Sequence, residues 1–230
     1  MTFLTVVSTL LGWLYTVLWS FSFWPQAIVN YRRKSTAGFS SDFAHLNVVG
    51  FVCYAIFNLS FLLSPTVQTQ YRQRHKGNSN VVRWNDAAFA THAAVLATAQ
   101  MIQTWVYPKE RGQRLSKFAI ISLSTIGITV GTSVLAVLLG GGNSDNSKSI
   151  FALQWLDVVN LLSLVKLYIT FVKYPPQMLL NVRRKSTRGF SIENILLDFS
   201  GGVLSLLQLV IDAGLINHDW SGVTGDFGKL

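Results

Sequence analysis

Ionisable side chains are scarce in this 230-residue chain, with 13% of residues charged and 50% hydrophobic. An ordinary soluble domain carries about 25% charged residues. Charges deep inside apolar stretches therefore need a reason, because one at the centre of a bilayer costs about 2.5–3.5 kcal/mol on insertion scales. Lys166 and Lys173 lie two helical turns apart, about 10 Å along an axis, and share one helix face. Asn194 and Asp198 stack on one face of the following span. Ammonium donors facing a carboxylate and an amide suit a small dipolar molecule, whose own carboxylate needs donors and whose ammonium needs acceptors. That chemistry is binding rather than bond-making. No His-Glu-x-x-His, Gly-x-Ser-x-Gly or Walker lysine is present, so the reading holds no enzyme, no cofactor and no metal. Cys53, the single cysteine, leaves no internal disulfide or thiolate cluster to build. His92 reads as a packed polar side chain.

The elements that must position these groups are membrane helices. Met1–Tyr31, Phe43–Tyr71, Ala87–Pro108 and Phe118–Ser144 contain no Asp, Glu, Lys or Arg, and a span needs about 20 mostly apolar residues. Six spans are expected, at about 4–24, 44–63, 87–107, 117–139, 151–173 and 192–213. No Lys or Arg precedes the first and no small-residue cleavage site follows it, so it reads as a retained helix rather than a signal peptide. The sequon at Asn58 falls within a span and is discounted, and the glycine-rich stretch 139–145 reads as a connector.

With a lumenal N-terminus, the cytosolic loops hold Arg32, Arg33, Lys34, Lys109, Arg111, Arg114, Lys117, Arg183, Arg184, Lys185 and Arg188. The other side holds Arg72, Arg74, Lys76, Arg83, Lys148 and Lys229, so the bias follows the positive-inside rule. The net charge of +9 thus reads as topology and contact with membrane lipids, not as nucleic-acid binding. The basic loops are also candidate docking points for cytosolic regulatory partners.

PQAIVNYRRKSTAGFSSDFAHLNVVG (25–50) and PQMLLNVRRKSTRGFSIENILLDFSG (176–201) agree at 13 of 26 aligned positions. Each copy starts at the basic end of one span and runs into the next, so the copies are parallel repeats about an axis along the membrane normal. The pairing makes Asn47 and Asp198 equivalent positions on opposite bundles. The expected organisation is a first bundle at 1–110 (helices 1–3), a connector helix 4 at 111–145 and a second bundle at 146–230 (helices 5–6). Pro25 and Pro176 each remove a backbone N–H and crowd the preceding turn, which predicts a kink and a hinge at both sites. Gln26 and Gln177 are expected to bond the carbonyls left free there.

The stretches FWPQAIVNYRRKSTAGFSSDFAHLNVVGFVCYAIFN, WNDAAFATHAAVL, ERGQRLS and VKYPPQMLLNVRRKSTRGFSIENILLDFSGGVLSLLQ resemble the PQ-loop family of membrane transporters. Within it they are similar to the branch of proton-coupled lysosomal cystine exporters. The resemblance implies an all-α membrane protein with PQ-loop bundles in a 3+1+3 arrangement, here with the last helix of the second bundle missing. It implies L-cystine and H+ as partners and a lysosomal or vacuolar membrane.

It also implies a substrate site at Asn47, Lys173, Gln177, Asn181, Asn194 and Asp198, with proton coupling at Asp86 and Asp198. Other readings stand beside these: Lys173 snorkelling to headgroups, Asp198 as a structural hydrogen bond between bundles, Asp86 as a helix cap. For function the alternatives are a carrier of cationic amino acids, a sugar carrier, which the charged residues disfavour, and a non-transporting receptor or scaffold.

Overall fold

The computed structural model describes residues 3–75, 77, 80, 82–140 and 153–216. Among these, every regular element is helical: α1 (Phe3–Arg33), α2 (Ser41–Leu63), α3 (Pro65–Arg74), α4 (Trp84–Val106), α5 (Lys117–Leu139), α6 (Trp155–Val172), α7 (Tyr174–Arg184) and α8 (Ile192–Val210), closed by a π-helical turn, Ile211–Ile216. Lys76, Lys148, Lys229 and most of the glycine-rich connector lie outside the described residues. Serines start several helices by accepting an N–H of the first turn. Ser40 caps α2 and its repeat equivalent Ser191 caps α8 in the same way.

Among the described residues, five helical segments are long and apolar enough to cross a membrane: Phe3–Arg33, Ser41–Leu63, Lys117–Leu139, Trp155–Arg184 and Ile192–Leu215. The third expected span, α4, has 23 residues but is not among them. Its alanines Ala87, Ala90, Ala93 and Ala97 are buried, which lets it approach α1 and α2 closely. Its Gln100 and Gln103 donate to the carbonyls of Phe23 and Ala27 on α1 at 2.7 and 3.0 Å. Small residues and interhelical amide bonds hold a membrane helix that is less apolar than its neighbours.

Those bonds flank Pro25, which lies inside α1. The helix continues through Pro25 to Arg33, nine residues past the expected end. The second copy behaves differently. Its segment breaks at Lys173, and α7 begins with Tyr174, Pro175 and Pro176. Two consecutive prolines remove two helical bonds, and both are tolerated in a first turn where N–H groups have no helical partner.

Packing runs across the copies: α1 lies against α8, and α2 against α6. Leu46 and Cys53 of α2 pack with Leu162, Val165 and Ile169 of α6, and Phe57 and Phe61 pack with Leu156 and Val159 toward the other end. The last glycine of each repeat copy is a point of close approach between helices. A Cβ on Gly50 would come within 2.9 Å of Ile169, and one on Gly201 within 2.5 Å of Trp19. Large apolar side chains such as Trp13, Phe21, Ile121, Phe171 and Phe199 face outward, as lipid requires.

The basic loops meet at one end. Thr36 N–H donates to the Pro108 carbonyl at 3.0 Å, and Arg184 pairs with Glu110. At the opposite end α3 closes over the start of α6: Arg74 pairs with Asp157, and Gln70 accepts the Leu156 N–H at 2.9 Å.

Candidate functional site

Lys173 stands at the break between α6 and α7, with its ammonium pointing inward. The residue is 8% exposed, so it does not snorkel. Its Nζ donates to Asn47 Oδ1 of α2 at 3.0 Å. The rings of Phe43, Phe51 and Tyr174 surround it at 5.7, 5.3 and 4.9 Å, within reach of a cation–π attraction. An ammonium has three donors and one goes to Asn47, so the rest remain for an incoming acceptor.

The neighbouring residue, Tyr174, donates its hydroxyl to Asp198 Oδ2 of α8 at 2.5 Å. Trp19 of α1 donates to the Asp198 backbone carbonyl at 3.1 Å. One dipeptide therefore links the equivalent positions Asn47 and Asp198: Lys173 reaches the first copy and Tyr174 the second. Asn194 lies one turn from Asp198 on α8, its N–H held by the capping Ser191. Lys166 lies two turns before Lys173 on α6, its ammonium 5.0 Å from the centre of the Tyr54 ring.

Sequence reasoning missed Tyr174, although a signal was present. At the positions equivalent to Lys166, Lys173, Tyr174 and Asp198, the first copy has Tyr15, Ser22, Phe23 and Asn47. The second copy holds every charge at these positions and a hydroxyl in place of Phe23, and Lys173, Tyr174 and Asp198 meet at the break.

Gln177 and Asn181 are placed elsewhere, further along α7 toward the basic end. Gln177 Nε2 donates to Gly38 O at 2.9 Å and to Asn181 Oδ1 at 3.0 Å, while its Oε1 accepts the Ser40 N–H at 2.7 Å. Gln26 repeats this with the copies exchanged: it donates to Gly189 O at 3.1 Å and to Asn30 Oδ1 at 2.8 Å, and accepts the Ser191 N–H at 2.9 Å. Both glutamines thus bond the turn of the other copy, not the carbonyls vacated by their own prolines as expected. The equivalent rings Phe39 and Phe190 stack between the turns with centroids 6.4 Å apart. Gly38 and Gly189 have φ of +91° and +105°, a conformation that glycine adopts without strain. Each also sits where a Cβ would collide with the opposite turn, 2.3 Å from Arg188 O and 2.1 Å from Ala37 O. These reciprocal bonds join the two turns into one latch at the basic end.

Asp86 is apart from both clusters, at the opposite end. It accepts the Arg83 N–H at 2.8 Å at the start of α4, the geometry of a capping box. His92 lies against the rings of Phe23 and Trp24, its centroid 6.4 and 6.2 Å from theirs.

The family described as PQ loop repeat matches residues 7–67 and 158–218, two segments with the same offset as the repeat. Over 231 residues the chain is 40% identical to a "Cystinosin homolog" of Dictyostelium discoideum, covering all of this chain and 76% of that protein. It is 38% identical over 227 residues to "Cystinosin" of Bos taurus, covering 98% of this chain but 58% of the bovine protein. A "Cystine transporter" of Saccharomyces cerevisiae is 28% identical over 212 residues, covering 87% of this chain and 77% of the yeast protein.

Proposed function

The chain belongs to the PQ-loop family, and from that premise we propose that it moves L-cystine from the lumen of a lysosome or vacuole to the cytosol. The proposal includes alternating access, coupling to protons and a lumenal N-terminus, with the basic end in the cytosol. The observation that carries the substrate reading is the Lys173–Asn47 and Tyr174–Asp198 pair of contacts. A buried ammonium and a carboxylate, one residue's reach apart, present both signs of charge to a dipolar amino acid.

In this reading a substrate carboxylate takes the free donors of Lys173 and displaces or shares the Asn47 amide oxygen. A charge-assisted hydrogen bond is about twice as strong as a neutral one, so exchanging an amide for a carboxylate favours binding. The substrate ammonium is held by Asp198, with Asn194 beside it. Asp198 also carries the proton: in its protonated form the carbonyl oxygen still accepts from the ammonium, and release of the proton to the cytosol accompanies release of the substrate. Two pH units across the membrane supply about 2.7 kcal/mol per proton. Asp86, at the lumenal mouth, is the proposed entry point for that proton.

Gln26 and Gln177 hold the cytosolic gate. Release requires their cross-copy bonds to part, and the broken segment at Lys173 provides the flexible joint in the second copy. The proline sites thus act unequally, with Pro25 inside a continuous helix and Pro176 just after a break.

Counterflow in proteoliposomes decides the substrate. Labelled cystine should accumulate against unlabelled cystine, while lysine and glucose compete poorly. Uptake driven equally by lysine would transfer the assignment to cationic amino acids. Saturable cystine binding without any flux would instead favour a receptor.

A further inference from the structure

The two turns of the latch are equivalent in sequence but unequal in support. The 35–40 turn is gripped by the α4–α5 loop. Thr36 N–H and the Ser35 hydroxyl both donate to the Pro108 carbonyl, at 3.0 and 3.2 Å. Gln113 Nε2 donates to the carbonyls of Thr36 and Phe39 at 2.9 and 2.5 Å. Gln113 Oε1 accepts the Gly38 N–H at 3.4 Å, and the residue is 7% exposed. Just beyond, Ser116 N–H donates to the buried Asp42 carboxylate at 2.8 Å.

The 186–191 turn has no such grip. Among the described residues, its hydrogen bonds to the other copy are those of Gln26. Among the described residues, its base bonds the α4–α5 loop through Arg184, which holds Glu110 through Nε at 3.0 and 2.8 Å and Nη2 at 2.7 Å. The first copy has no matching carboxylate: the equivalent Arg33 donates to the Ala37 carbonyl at 3.1 Å.

We propose that the α4–α5 loop is the fixed strap of this gate and that Glu110 is a positioning residue for transport. When the basic end opens, the 35–40 turn stays with the strap and the 186–191 turn swings away, and the Glu110–Arg184 pair sets how often this happens. The energetics suit the division. Parting the first turn from the strap breaks several hydrogen bonds at once, including those of a buried amide whose partners would lose them without replacement. Parting the second from the strap breaks one bidentate ion pair with side chains 17% and 39% exposed. A single partly exposed pair gives up less on parting than a set of buried bonds, enough to bias an equilibrium between closed and open.

The role of Glu110 in transport rests on the alternating-access reading, but the unequal motion is measurable without substrate. The full chain, with Cys53→Ala, takes spin labels at two pairs of exposed sites: Tyr31→Cys with Lys109→Cys, and Val182→Cys with Lys109→Cys. Tyr31 and Val182 are repeat equivalents, and Lys109 lies on the strap. Glu110→Ala should raise the long-distance population of the Val182 pair about two- to fivefold and leave the Tyr31 pair narrow. The charge exchange Glu110→Arg with Arg184→Glu should restore the short distance, which a merely misfolded loop would not. Equal broadening of both pairs, or no change in either, overturns the proposal. If the Val182 pair responds but no variant moves cystine, the strap stands and the cystine assignment falls.

Discussion

Gln26 and Gln177 are equivalent residues that each reach into the other's repeat copy, donating to a glycine carbonyl and accepting a serine N–H two residues later. The exchange explains why both copies keep the Gly-Phe-Ser turn as well as the Pro-Gln pair: each glutamine needs the other copy's turn.

Replacing either glutamine by leucine leaves a buried carbonyl and a buried N–H without partners. Each change should destabilise the protein by about 1–3 kcal/mol, read by thermal unfolding in detergent. The two losses should be similar, and the double variant should lose less than their sum, because one open half already weakens the other. Independent, additive losses would mean that the two halves do not form one latch.

Asp198→Asn keeps a polar side chain of the same shape beside Tyr174 but can no longer take up or release a proton. Cystine binding should persist while pH-driven flux is lost in proteoliposomes. Transport with an unchanged pH dependence would remove Asp198 from the proton path.

Lys173→Met preserves length and apolar packing within the Phe43, Phe51 and Tyr174 cage while deleting the ammonium. Cystine affinity should fall about ten- to a hundredfold, the loss expected for a hydrogen bond to a charged group. Lys173→Arg should rescue poorly, because a planar guanidinium does not fit the space of a compact ammonium. Full affinity in the methionine variant would show that the carboxylate is held elsewhere.

Neighbouring glycines on α8 give a paired test of the seam with α1. A methyl group at Gly201 would press into the Trp19 indole, whereas nothing lies within 4 Å of one at Gly202. Gly201→Ala should cost about 1–3 kcal/mol. Gly202→Ala should be neutral or slightly stabilising, since alanine is the better helix former. Equal melting temperatures for the two variants would place the seam elsewhere.

Much of the molecule was legible before any coordinates. Charge-free runs located the helices, because lipid demands a long apolar stretch wherever the chain crosses it. The duplicated segment announced two like units and paired Asn47 with Asp198. The run at 87–107 located α4 as well, where alanine and glutamine add close packing to a modest apolarity, but the first span was ended too early, because α1 continues through Pro25 to Arg33.

What only the tertiary structure decided is who touches whom between the copies: Lys173 with Asn47, Gln26 with Gly189, Gly201 with Trp19, Arg184 with Glu110. Helical periodicity and hydropathy record what a residue needs from its own turn and from the solvent around it. A contact between residues more than seventy positions apart leaves no such local trace. It depends on how two units dock, a property of both surfaces together that neither segment encodes alone.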